Sequence, residues 1–186
     1  APIYTLLARR ERLSKELASR EIRTSWLQRL AVIPDLQRRA LPLLPTAAWS
    51  LDARAYDVVI CSDAANVKAI RTRPQSLKLC YCHSPMRYVW DLYDEYVAAA
   101  GPVARQGLPL SAPLLRRQDR AAPPRCTALI PNSRCVAERI ARCYGRASVV
   151  IPPPVDTDFP PPPEAPDDFY LVVGEHVAYK RNDLAI

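Results

Sequence analysis

The stretch LKLCYCHSPMRYVWDLYDEY, residues 77–96, passes from an apolar segment through a single histidine into a proline-led amphipathic one. Leu77, Leu79 and Tyr81, with Cys80 and Cys82 interleaved, are apolar on both sides of an alternating backbone, the pattern of a buried parallel strand. Ser84 has the chemistry of a helix N-cap, and Pro85 that of a first helical residue, where a missing N–H costs no intrahelical bond. Met86, Val89, Trp90, Tyr93, Tyr96 and Val97 recur every three or four residues beside Arg87, Asp91, Asp94 and Glu95, which predicts an amphipathic helix. His83 stands at the hand-over from strand to helix. In open α/β sheets ligands bind at such corners, outside the carboxyl ends of strands.

Outward from this corner the same alternation repeats. YDVVICS, residues 56–62, reads as a strand, followed by a helix over 64–70. Beyond the corner, the prolines between Gly101 and Pro113 predict a loop, and 114–121 a short basic helix. Residues 127–130 read as a strand, and Ser133 as the cap of a helix over 135–144 that Gly145 closes. A short strand over 149–151 precedes Pro152–Pro154 and Pro160–Pro163, whose density favours extended polyproline geometry rather than a sheet interior. Residues 169–173 read as a further strand, and the leucine-punctuated segment 4–30 as helical. Strand–helix alternation argues for a parallel sheet with helices on both faces. The expected class is therefore α/β, a Rossmann-like parallel sheet over 1–151, a proline-rich linker over 152–168 and the start of a second Rossmann-like domain over 169–186.

Composition narrows the function. The chain has 186 residues, 26 Lys plus Arg against 19 Asp plus Glu, and a formal charge of +7, which favours an anionic partner. Nucleic acid, an acidic membrane surface and the diphosphate of a nucleotide-activated substrate all meet that description. No aromatic-interleaved basic element or reading motif supports nucleic acid. With only four glycines, no phosphate-cradling glycine loop of familiar form is present. No stretch approaches the roughly 18 apolar residues of a spanning helix, and no signal-peptide core opens the chain, so the reading is cytosolic. Cys61, Cys80, Cys82, Cys126, Cys135 and Cys143 are then free thiols. Cys80-x-Cys82-His83 lacks the paired CxxC of a zinc site, and no metal is expected.

YCHSPMRYVWDLY at 81–93, PNSRCVAERIARCYG at 131–145, IPPPVDTDF at 151–159 and FYLVVGEHVAYKRNDLAI at 169–186 together resemble the group 1 glycosyltransferases, glycosyltransferase family 4. Within that family the likeness is to bacterial enzymes of polysaccharide assembly, many of them mannosyltransferases. The resemblance implies the two-domain GT-B fold, no cofactor or metal, and retaining transfer of a sugar from a nucleotide-sugar, GDP-mannose, to a lipid-linked or polysaccharide acceptor. The arginine-rich segments, RRQDR at 116–120 among them, add peripheral contact with the acidic inner face of the membrane to the cytoplasmic reading. His83 matches the histidine that contacts the transferred sugar, and Ser84 and Arg87 beside it are weaker acceptor-side candidates. Gly174, Lys180 and Arg181 fall on the donor's diphosphate-binding pattern, but Glu175 stands where the family carries an arginine. A carboxylate there repels a diphosphate. Glu175, with the family's glutamate pair falling beyond Ile186, makes a fragment inactive on its own the expectation, and a non-catalytic remnant or binding module the alternative.

Overall fold

The computed structural model describes residues 1–33, 40–158, 168–169, 171–174 and 182–184, with the side chains of 103, 104 and 183 excepted. Two compact units emerge, Ala1–Pro152 and Pro153–Ile186. The first holds a three-stranded parallel sheet: β3 (Val58–Asp63), β4 (Leu77–Cys82) and β5 (Ala128–Pro131), in that spatial order, with β4 in the middle. The register pairs Cys61 with Cys80 and Ser62 with Tyr81 across β3 and β4, and Cys80 with Leu129 across β4 and β5. A separate parallel pair, β1 (Ile3–Thr5) and β2 (Ile22–Thr24), lies near the start of the chain. The unit is an α/β structure with Rossmann-like parallel pairing, as the sequence predicts.

The two faces of the three-stranded sheet differ. Cys61, Cys80, Cys82 and Leu129 are buried together with Val136 and Ile140 of the helix Arg134–Tyr144, the main core of the unit. On the opposite face Val58 and Ile60 are exposed, Ile60 by 73%, and Leu79 and Tyr81 are half-open. The sequence predicts cover on both faces; among the described residues helices cover one. A strand that is apolar on both sides records what its sheet can bury, and here only alternate residues are used.

Several elements depart from expectation for identifiable reasons. Segment 4–30 is not one helix but β1, a one-turn helix α1 (Lys15–Ala18) capped by Ser14, β2, and a 3-10 turn at Trp26–Leu30 capped by Ser25. Its leucines carry helical spacing, but β-branched Ile3, Thr5, Ile22 and Thr24 favour strand. The helix expected over 64–70 shrinks to a 3-10 turn at Val67–Ala69. Following α2 (Leu44–Ser50) in the chain, the Ser84–Pro85 start does not form: Ser84, Pro85 and Met86 are buried. The chain makes a 3-10 turn at Arg87–Val89 before α3 (Tyr93–Ala98).

The loop expected over 101–113 is instead the first half of a 20-residue helix, α4 (Pro102–Ala121). Pro102 occupies the first turn, where it is tolerated. Pro109 and Pro113 lie four residues apart on the exposed side, where water can satisfy the carbonyls that lose their intrahelical partner. The other side, Leu108, Ala112 and Leu115, packs on Met86, Tyr88 and Val89. The last helix, α5 (Arg134–Tyr144), forms as expected, with Ser133 accepting from the Val136 N–H and Gly145 at φ +63°. Val149 and Ile151 form no strand, yet their N–H groups donate to Leu129 and Pro131 at the edge of β5, at 3.4 and 3.1 Å. In the second unit Phe169 and Leu171–Val173 are exposed and no strand forms over them.

Between the covered face and α4 lies a buried ionic knot. Lys68, 1% exposed, places Nζ 3.0 Å from Asp63 at the end of β3 and 2.7 Å from Asp119 in α4. It also donates to the Ala65 carbonyl, while the Asp63 carboxylate accepts from the Lys68 N–H at 3.2 Å. Asp119 accepts from Trp90 Nε1 at 2.7 Å and from the Tyr144 hydroxyl at 2.9 Å. Lys78, equally buried in β4, donates to the carbonyls of Lys68 and Ile70 at 2.6 and 2.8 Å. Removing one member of a buried pair leaves its partner charged and unsolvated. Lys68→Met is expected to cost about 3–5 kcal/mol in urea denaturation, whereas a loss under about 1 kcal/mol would mean that the knot is solvated.

Candidate active site

The carboxyl ends of β3 and β4 bring together two sets of side chains, one on each face. Strand alternation directs Asp63, Cys80 and Cys82 into the core and Ser62, Tyr81 and His83 to the open face. The main chain holds this edge rigidly, since the His83 N–H donates to the Asp63 carbonyl at 2.8 Å, one step beyond the ladder. His83 is exposed, with Nε2 2.9 Å from Ser62 Oγ and its ring edge-on to Tyr81 at 5.3 Å and 83°. Tyr81 donates its hydroxyl to the Ile151 carbonyl at 3.0 Å. An exposed imidazole held by a hydroxyl and an aromatic edge can donate or accept one hydrogen bond to a ligand, or exchange a proton with it.

The other candidates are placed differently. Ser84, 6% exposed, has its hydroxyl buried and without a hydrogen-bond partner among the described residues. Arg87 is half-buried in its 3-10 turn. Asp91 is bound from α5, by Arg139 at 2.8 Å and by Arg142. Gly174 is exposed in the second unit. Lys180 and Arg181, with Glu175 and His176, lie outside the described residues.

The Cys80-x-Cys82-His83 cluster is split by the same alternation, its sulfurs in the core and its imidazole on the far face. All six cysteines are free thiols, and Cys135 alone is exposed. Burial pushes Cys61 and Cys82 up to about 12, so they pack as small apolar groups. Neither Ser62 nor the ionic knot is foreseen by sequence reasoning. Two signals were available: Asp119 continues the buried α4 stripe Leu108–Ala112–Leu115, and Lys78 sits on the same side of β4 as Cys80 and Cys82.

Burial drives the Tyr144 hydroxyl above its ordinary value and Tyr88 up to about 12. For Lys68 burial acts downward, but the charges of Asp63 and Asp119 outweigh it and hold the ammonium well above its usual range. Each of these groups, like Cys61 and Cys82, binds its proton more tightly folded than unfolded. Their stabilisation is therefore complete below the unfolded values, about 8.5 for Cys, 10 for Tyr and 10.4 for Lys, and is lost as pH rises past them. Urea denaturation across a pH series is expected to show no loss from these groups up to about pH 8. Above about pH 10 the loss is at least 1.4 kcal/mol per unit. Unchanged stability to about pH 11 would contradict the assignment.

A family model described as Glycosyltransferase Family 4 matches residues 5–159, which include the three-stranded sheet, the His83 corner and α5. No curated protein and no solved structure matches the chain. The matched span is most of the sequence, and the parallel α/β architecture agrees with it: the chain belongs to glycosyltransferase family 4.

Proposed function

We propose that the protein acts in sugar transfer from a nucleotide-sugar, GDP-mannose, to a hydroxyl of a lipid-linked or polysaccharide acceptor, with retention of configuration and within the two-domain GT-B fold. The observation that carries this reading is His83: an exposed, oriented imidazole at the carboxyl edge of a parallel sheet, in a glycosyltransferase family 4 chain. His83 contacts the transferred sugar, and Gly174, Lys180 and Arg181 the donor's diphosphate. Ser84 and Arg87 border the acceptor side. The residues act by placing and polarising groups rather than by covalent chemistry, and electrostatic stabilisation of the departing diphosphate supplies most of the rate.

The basic surface supports contact with an acidic membrane on the cytoplasmic side. Arg116 and Arg120 stack on Trp90 at 5.5 and 4.7 Å, and Arg139 and Arg142 flank Asp91. No helix among the described residues is long and apolar enough to cross a membrane. A second reading, a binding module without transfer, is favoured by one observation, the carboxylate of Glu175 at the donor-side arginine position.

Transfer of radiolabelled mannose from GDP-mannose to lipid-linked acceptor by the full-length protein tests the first reading. His83→Ala is expected to lower kcat by 10²–10⁴-fold, the usual contribution of a positioned acid or base, and anionic vesicles to raise the rate over neutral ones. Donor binding with no transfer would favour the module. Unaltered transfer in His83→Ala would overturn the assignment of His83.

A further inference from the structure

We propose that Ser62 is the positioning residue of His83, and that it fixes the imidazole as the tautomer carrying its proton on Nδ1, the nitrogen offered to the ligand. The inference deepens the reading above and rests on it only in taking the ligand to be the sugar donor.

The pairing follows from the ladder. Ser62 is the register partner of Tyr81, and His83 is two residues beyond Tyr81 on the same face. Two parallel strands therefore deliver the hydroxyl and the imidazole side by side, with Oγ 2.9 Å from Nε2. The ring is also bounded by the Tyr81 edge at 5.3 Å, and Tyr81 is itself fixed through its hydroxyl to the Ile151 carbonyl. With Nε2 turned back toward the sheet, Nδ1 is the free ring nitrogen, and no described residue engages it. A neutral imidazole carries one proton, and the hydrogen bond at one nitrogen decides where it sits. Among the described residues Ser62 Oγ has no hydrogen-bond partner other than His83, so its O–H is available to donate to Nε2. The ring proton is then on Nδ1, and the group presented outward is an N–H donor suited to a sugar hydroxyl or a developing anionic oxygen.

The chain has two histidines, so His176 serves as an internal reference. Long-range nitrogen–proton correlation spectra of histidine-labelled protein, recorded where both rings are neutral, report the tautomer ratio directly. The expected result is an Nδ1–H form dominant at His83, a ratio lowered at least threefold by Ser62→Ala and retained in Ser62→Thr, with His176 unchanged in all three. In the transfer assay Ser62→Ala is expected to lower kcat about tenfold with KM within twofold, and Ser62→Thr to recover it. A dominant Nε2–H form in the unaltered protein, or a ratio that ignores Ser62→Ala, would overturn the proposal. If instead the ratio responds as expected but GDP-mannose leaves the His83 nitrogens unshifted, the pairing stands and the donor assignment of His83 falls.

Discussion

The structure depends on one cation without water. Lys68 is enclosed by the carboxylates of Asp63 and Asp119, one at the tip of β3 and the other on the buried side of α4. Burying three charges is unfavourable in isolation, because each loses its hydration, and attraction offsets this only where the remaining donors and acceptors are also satisfied. Here they largely are: Trp90 and Tyr144 complete Asp119, and the Lys68 N–H completes Asp63. The consequence is positional. Asp63 follows Ser62 directly and gives its carbonyl to the His83 N–H, so the knot on the covered face fixes the main chain that displays Ser62 and His83 on the open one.

This division explains what the sequence discloses. The helix Arg134–Tyr144 is legible because its signals are local: a serine that caps, a clean apolar stripe, and a glycine that takes the left-handed conformation. The β4 strand is legible from its run of apolar and β-favouring residues, and His83 from standing at that strand's end. Segment 101–113 is illegible for the opposite reason. Three prolines outvote the stripe Leu108–Ala112–Leu115 in any local reading, and only packing on Met86 and Val89 decides that the stripe prevails. Ser84 errs the other way: its cap chemistry is sound, but the next residues are drawn into the core before a helix can begin.

Lys68 and Asp119 are hidden more deeply, since they lie 51 positions apart and each looks like a solvated surface charge on its own helix or turn. Their pairing is a tertiary fact. Ser62 is hidden likewise, because a serine at a strand end has many uses and its neighbour His83 comes from the next strand, 21 residues on. The fold class was thus readable from periodicity, and the histidine from position, while the groups that hold the histidine required the strands to be laid side by side.

Glycosyltransferase family 4 membership gives the corner its context, but its rigidity follows from the knot. Native-state hydrogen exchange at the His83 amide is the most direct measure of that claim, because this N–H bonds to the residue the knot holds. It is expected to exchange as slowly as the amides of Cys80 and Cys82 in the unaltered protein, and at least a hundredfold faster in Asp119→Asn while those of α5 change less. Fast exchange at His83 in the unaltered protein, or an equal change throughout the sheet and α5, would contradict it.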